Sequence, residues 1–185
     1  MLDVFGLVRT QTGSGPQSGA IIVATPAAGM SAPMRLQVAA RGFPVSHVVQ
    51  TRLLLEPATV TELAGAPGVD LAPSAALLDT MDSDDLTAAE FLAIDARFHI
   101  SLAEASGNQV VTTILAGLRS SIEGYVLQGL PAIPDWPAEM RQLRAEHRQI
   151  VDAIRAHDAA GAHDRIHAPI SRYYTTTFAS QQEQP

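Results

Sequence analysis

From residue 32 onward, the hydrophobic residues of this chain recur with the period of an α-helix, and this regularity restricts the fold more than any other feature. Apolar positions three and four residues apart predict helices over residues 32–41, 44–64, 69–81, 87–105, 108–128, 138–157 and 159–178. Breaks rich in Gly, Pro or Asp separate them, among them the acidic turn 82–85 and the Pro-rich loop 129–137. An all-α domain is therefore expected over residues 31–180.

The first thirty residues carry a different pattern. Residues 7–10 and 20–24 each predict a short strand, and glycines between them predict the tip of a β-hairpin. Two strands alone are marginally stable in water, so this hairpin needs a surface to pack on. Residues 26–33 are typical of a linker, and the tail 181–185 is expected to be disordered.

Composition excludes several classes of protein and site. The chain has no Cys, so disulfides and thiolate metal sites are excluded, and any metal must use His, Asp, Glu or water. Its net charge is −7 and all twelve basic residues are Arg, with no basic run, so binding of nucleic acid by these residues alone is not expected. Neither a membrane span nor a signal peptide is predicted, which favours a cytoplasmic protein.

Two polar residues interrupt the apolar face of the helix predicted over 87–105. Asp95 and His99 lie one turn apart and share that face with Phe91, Phe98 and Leu102. A carboxylate that faces a core costs several kcal/mol or more unless it is paired or bound to a cation. The spacing therefore predicts a metal or ligand site.

Other helices repeat this anomaly. His147 lies on the apolar face of the helix over 138–157, and Arg52 and Glu56 lie on that of the helix over 44–64. If the three faces converge, Asp95, His99 and His147 could hold a divalent ion and leave positions open for a ligand. An Arg nearby would suit a carboxylate, because its guanidinium can donate two parallel hydrogen bonds.

Simpler explanations remain open for each of these residues. Asp95 could pair with Arg52 or His99 without any metal, and His147 could be a hydrogen-bonded core histidine. Arg52 and Glu56 could pair along their own helix, since they are four residues apart.

The order of these motifs resembles the FCD domain, the ligand-binding domain of the FadR branch of GntR-family bacterial transcription regulators. The resemblance covers residues 44–178 and rests on Arg52-Leu-Leu-Leu-Glu56-Pro57, Asp95-Ala-Arg-Phe98-His99, Ala105-Ser-Gly-Asn108, Glu146-His147, Ala153-Ile154 and Asp158. It implies an antiparallel bundle of six or seven helices that forms a homodimer. It also implies a zinc or nickel ion in the bundle, with a small organic acid bound beside it.

The resemblance implies that the family's metal ligands correspond to Asp95, His99 and His147 in this chain. At the position of the family's last metal histidine, this chain has Pro169. This departure leaves three protein ligands, weakens the expected affinity, and is expected to kink the last helix. Tyr173, one turn later, is a weak substitute.

The helical wheel predicts that His163 and His167 point away from the side that faces residue 169, so neither is expected to replace the missing ligand. Arg52, Asn108 and Tyr173 are the candidates for binding the organic acid.

The beginning of the chain resembles the end of a winged helix-turn-helix domain, with residues 1–30 as the remnant of its wing and a linker. DNA binding is therefore expected only through a DNA-binding domain that these residues lack.

Three functions follow as hypotheses. The first is an effector-binding and dimerisation domain of a GntR-type regulator, not an enzyme, that senses a small carboxylate. The second is a structural dimerisation module with an inactive pocket, which Pro169 makes credible. The third is a metal-dependent enzyme, although no separate general base or nucleophile motif accompanies the Asp and His residues.

Overall fold

The computed structural model describes residues 8–11, 19–22 and 43–178. Two strands, β1 (Val8–Gln11) and β2 (Gly19–Ile22), pair antiparallel with Val8 opposite Ile22, as the hairpin pattern predicts. Six α-helices follow: α1 (Val45–Gly65), α2 (Ala72–Met81), α3 (Ala88–Ala105), α4 (Gln109–Gly129), α5 (Trp136–Arg155) and α6 (Ala159–Phe178). The helix predicted over residues 32–41 and the tail 181–185 lie outside the described residues.

Local capping determines where the helices begin. Thr87 and Glu90 form a capping box at α3, in which the Thr87 side chain accepts from the Glu90 N–H and Glu90 accepts from the Thr87 N–H. Asn108 caps α4 by accepting from the N–H groups of Val110 and Val111. Gly107 before it adopts a φ of 72°, a backbone conformation that suits glycine.

Two predicted helix starts differ from the structure by two residues or more. Helix α5 begins two residues earlier than predicted, because Asp135 caps it and Pro137 lies in the first turn, where no backbone donor is needed. Helix α2 begins at Ala72 instead of residue 69, with Asp70 accepting from the Ala72 N–H. The loop predicted over 129–137 contains a 3-10 turn, Leu130–Ala132.

The predicted all-α bundle is confirmed. Helix α1 makes its most extensive contact with α6, α3 packs between α2 and α4, and α5 packs against α6. Buried apolar side chains from all six helices form one core. Among the described helices, none is by itself long and apolar enough to span a membrane, although Gln109–Leu118 and Ser121–Ala132 together pass that test across a 45° bend.

Proline occurs inside two of these helices. Helix α6 continues through Pro169 from Ala159 to Phe178, and α1 continues through Pro57. Each proline removes one backbone donor, so the carbonyl four residues earlier loses its usual helical partner. Pro169 therefore removes one backbone hydrogen bond from α6, but the helix does not end there.

Candidate metal centre and ligand pocket

The described core contains five buried acidic, basic or histidine side chains, and all five lie in one region between the helices. They are Arg52 and Glu56 on α1, Asp95 and His99 on α3, and His147 on α5. The predicted inward orientation of these side chains is therefore observed, and the three predicted faces do converge.

Asp95, His99 and His147 form a compact group of ligand atoms. Nε2 of His147 lies 3.1 Å from Oδ1 of Asp95 and 3.2 Å from Nε2 of His99. Nε2 of His99 lies 3.9 Å from the same Asp95 oxygen. One acidic and two imidazole ligands could thus face a common point, and the three residues together could hold a metal ion.

These distances can be compared with the requirements of an ion. Ligands about 2.1 Å from zinc lie about 3 Å apart at octahedral angles and about 3.4 Å apart at tetrahedral angles. The contacts of 3.1 and 3.2 Å match these edges, whereas the 3.9 Å contact between His99 and Asp95 must shorten slightly. The donor set fits zinc or nickel, and a three-residue set leaves positions for water or an organic ligand.

The electrostatics of Asp95 suit a cation site. Burial alone would raise the pKa of its carboxyl, but a hydrogen bond from His147, together with the charges of that group, His99 and Arg52, lowers this pKa to about 2. Asp95 is therefore ionised at neutral pH and can supply negative charge to the centre. The simpler explanation of Asp95 as a partner of a histidine is consistent with the same contacts.

Arg52 and Glu56 form a buried ion pair beside this group. Nε of Arg52 donates to Oε1 of Glu56 at 2.6 Å, and Nη1 of Arg52 donates to the Tyr125 hydroxyl at 2.8 Å. Burial alone would raise the pKa of Glu56, but Arg52 and His99 outweigh it and lower the pKa to about 2. Burial likewise opposes the charge of Arg52, whose pKa Glu56 nevertheless raises. Both groups are therefore charged, and the pairing along α1 that the sequence left open as the simpler explanation is observed.

A small cavity opens beside the metal-ligand candidates. Its free volume is about 30 Å³, enough for water and an ion but smaller than an organic acid. Its lining comes from α1, α3, α4, α5 and α6: Arg52, Leu92, Asp95, His99, Tyr125, Val126, Leu143, His147, Pro169, Ile170 and Tyr173.

Pro169 lies at this cavity, as the resemblance predicts for the last metal-ligand position. His163 pairs instead with Asp164, and its side chain is 49% exposed. Nδ1 of His167 lies 3.5 Å from the Ser171 hydroxyl oxygen. Neither histidine lines the cavity, in agreement with the prediction from the helical wheel.

Tyr173 does line the cavity, but its hydroxyl is already hydrogen-bonded within the protein. It donates to the Val126 carbonyl at 2.6 Å, and burial raises the pKa of the phenol. The hydroxyl therefore stays protonated at neutral pH, which makes Tyr173 a poor anionic ligand for a metal. Its position still allows it to contact a bound organic molecule.

Asn108 lies elsewhere. It is exposed at the start of α4, where its side chain caps the helix, and it does not line the cavity. Its role in ligand binding therefore stays a prediction, and the observed role is structural.

Sequence reasoning missed Tyr125 and the contact between Glu56 and His99. Tyr125 reaches Arg52 from α4, and Oε2 of Glu56 lies 2.6 Å from Nδ1 of His99. Neither contact has a local signal, because both depend on how separate helices are rotated against each other.

One substitution tests whether Pro169 interrupts a metal site. Pro169→His is expected to raise zinc affinity at least about tenfold, because a fourth ligand would approach the group from α6. The matched control is Pro169→Ala, which restores the backbone donor without adding a ligand. Zinc competition with a chromophoric chelator measures both. Equal affinity in the two variants would show that residue 169 does not reach the ion.

Comparison with known proteins gives a consistent result. The sequence profile of the FCD domain matches residues 47–172. The chain is 32% identical over 90 residues to the proteins named as L-lactate dehydrogenase operon regulatory proteins of Escherichia coli (strain K12) and Shigella flexneri. Each alignment covers 49% of this chain and only 35% of the relative.

A solved structure shares the fold. The structure of a GntR of Streptococcus agalactiae matches with a TM-score of 0.64 at 23% sequence identity, covering 92% of this chain and 75% of that one.

Proposed function

The chain belongs to the FCD domain family, and on that basis we propose that it is the effector-binding and dimerisation domain of a GntR-type transcription regulator. The observation that carries this proposal is the buried group of Asp95, His99 and His147 beside a cavity in the helical bundle. A divalent ion there would supply a Lewis acid to hold an oxygen ligand. The protein side chains would orient that ligand and exclude water.

The proposed effector is a small carboxylate. A hydroxy acid such as L-lactate is the first one to test, because two relatives are named as regulators of an L-lactate dehydrogenase operon. An acid of this class could offer a carboxylate and a hydroxyl oxygen to an ion that has open positions. Tyr173 and Arg52 line the same cavity and could contact the remainder of the molecule.

The size of the cavity suggests how binding would act on the protein. The free volume is about 30 Å³, so an organic acid must move side chains or helices apart to enter. Such a ligand favours the wider arrangement of the bundle by its differential affinity for that arrangement. In a regulator with two DNA-binding domains, this shift would change how they are placed relative to each other.

Arg52 stays a candidate for contacting the effector, but it is already engaged by other side chains. Its guanidinium already donates to Glu56 and Tyr125, so an effector carboxylate would have to compete with an internal one. We therefore assign the first contact of the effector to the ion and not to Arg52.

An inactive pocket is the second candidate. It is favoured by the small size of the cavity and by Pro169, which lines the cavity and stands where the resemblance implies a metal histidine. A metal-dependent enzyme is the weaker alternative, because the FCD family is identified with regulators and the cavity contributes no separate nucleophile.

A thermal-shift experiment separates the first two candidates. A zinc-loaded chain at an L-lactate concentration of 100 times Kd is expected to gain about 2.7 kcal/mol of stability, or roughly 5–10 °C in Tm. The His147→Ala variant is the control and should show a much smaller gain. If the zinc-loaded chain gives a flat response to L-lactate, dicarboxylates and sugar acids alike, the inactive pocket is favoured.

A further inference from the structure

Glu56 occupies a position that the proposed metal-binding role of the site does not yet explain. It lies on α1 and is only 2% exposed. Its Oε1 accepts from Nε of Arg52 at 2.6 Å, and its Oε2 lies 2.6 Å from Nδ1 of His99 and 3.5 Å from Nη2 of Arg52. A buried carboxylate must have partners for both oxygens to be tolerated. Glu56 thus joins a fixed cation on its own helix to a candidate metal ligand on α3.

The two ring nitrogens of His99 face different partners. Nδ1 lies 2.6 Å from Oε2 of Glu56, and Nε2 points to the group formed with His147 and Asp95. Nε2 can bind an ion only with its lone pair, which requires the proton to be on Nδ1. Nδ1 has no well-formed hydrogen bond among the described residues, although Oε2 of Glu56 lies within hydrogen-bonding distance of it.

The ring nitrogens of His147 have different surroundings from those of His99. Its Nδ1 is buried and has no hydrogen-bond partner among the described residues, while its Nε2 lies 3.1 Å from Asp95. Without an ion, this arrangement favours the proton on Nε2, where Asp95 can accept it. The two histidines are therefore expected to carry their protons on opposite nitrogens.

We propose that Glu56 is a positioning residue that holds His99 with Nδ1 protonated and Nε2 available to a metal, and that Arg52 and Tyr125 keep Glu56 in place. Histidines that bind metals usually donate their other N–H to a carboxylate or carbonyl group, which fixes the ring and strengthens the ligand. The proposal rests on the proposed metal centre, but it assigns a proton position that exists without metal. Helix α1 is thereby connected to the centre although it contributes no ligand.

Glu56→Gln is the informative substitution because it keeps the shape and removes the second acceptor. Arg52 can only donate, so the single amide oxygen of Gln is expected to face Arg52, while its NH2 group faces His99. That NH2 group favours a lone pair on Nδ1 of His99, which moves the proton to Nε2 and directs a donor toward the metal position.

The experiment has two measurements on the full chain. Nitrogen-15 NMR of the histidine rings in the metal-free protein should show His99 protonated on Nδ1 and His147 on Nε2, with His99 alone switching in Glu56→Gln. Zinc competition should show a 10- to 100-fold weaker affinity in that variant. Ser74→Ala is the matched control, since it removes a buried hydrogen bond to Ser101 away from the centre and should change neither measurement.

The outcomes separate this inference from the proposed function. Wild-type His99 protonated on Nε2 would overturn the role of Glu56, even if Glu56→Gln failed to fold. Zinc binding with unchanged affinity in Glu56→Gln would also overturn it, while leaving the metal centre intact. A wild-type chain that binds no zinc but shows the expected proton positions would support Glu56 and contradict the metal centre.

Discussion

Arg52→Ala is expected to lower the free energy of unfolding by about 3–5 kcal/mol, the largest effect of any single substitution considered for this chain. The reason is that Glu56 would stay buried with a negative charge and lose its fixed positive partner. Small domains have only about 5–15 kcal/mol of stability in total, so this variant should be close to unfolding. Urea denaturation of the metal-free protein measures the loss.

Two controls identify the cause of this loss. The double variant Arg52→Met with Glu56→Leu removes both charges and should recover most of the stability, since apolar residues of similar size often replace a buried ion pair without penalty. Arg165→Ala breaks an exposed pair with Asp158 and should change stability by less than about 1 kcal/mol. If Arg52→Ala lost no more than Arg165→Ala, the buried pair would not be charged as described.

The second large effect concerns the metal. Wild-type protein is expected to bind one equivalent of zinc, and His147→Ala should weaken this binding by roughly 100-fold or more, because each ligand of a structural zinc site contributes about 3 kcal/mol. Elemental analysis and chelator competition on purified protein measure the two quantities. Asp95→Ala should behave in the same way, since its carboxylate supplies the only negative charge among the three candidates.

His163→Ala is the matched control for the metal prediction. His163 lies on α6 with a half-exposed side chain and pairs with Asp164 instead of facing the cavity. Its replacement should leave zinc stoichiometry and affinity unchanged. Loss of zinc in His163→Ala, with retention in His147→Ala, would move the metal from the core to the surface of α6.

The helices were predictable because their signals are local. Thr87 with Glu90 and Asn108 each define a helix start from side chains within four residues, and the structure has those starts where the pattern predicts them. The start of α5 was harder to predict from the sequence, because Asp135 and Pro137 lie in a segment whose prolines also predict a loop.

The convergence of the core-facing polar residues was predictable for a different reason. Asp95, His99 and His147 violate the apolar pattern of their helices, and a buried charge restricts what can lie opposite it. The partners were not predictable in the same way. Contacts of Glu56 with His99 and of Arg52 with Tyr125 depend on the relative rotation of α1, α3 and α4.

For Asn108, the structure shows a capping role, and its role in ligand binding stays a prediction. The resemblance made it a candidate for binding an organic acid, yet its side chain accepts from two backbone N–H groups at an exposed helix start. A capping residue at this spacing is explained by helix formation alone. Conversely, Pro169 was placed by motif order, and the structure has it at the cavity.

The polar chain that runs from Tyr125 through Arg52 and Glu56 to His99 has a consequence for the evolution of this pocket. Each member contacts the next across three helices, so a change at one position alters the cost of a change at its neighbour. Single mutations here would pass through destabilised intermediates, whereas paired mutations would not. A lineage that adopts a new effector is therefore expected to vary first at the apolar lining, at positions such as Leu92 and Leu143, and to keep the polar chain as a unit.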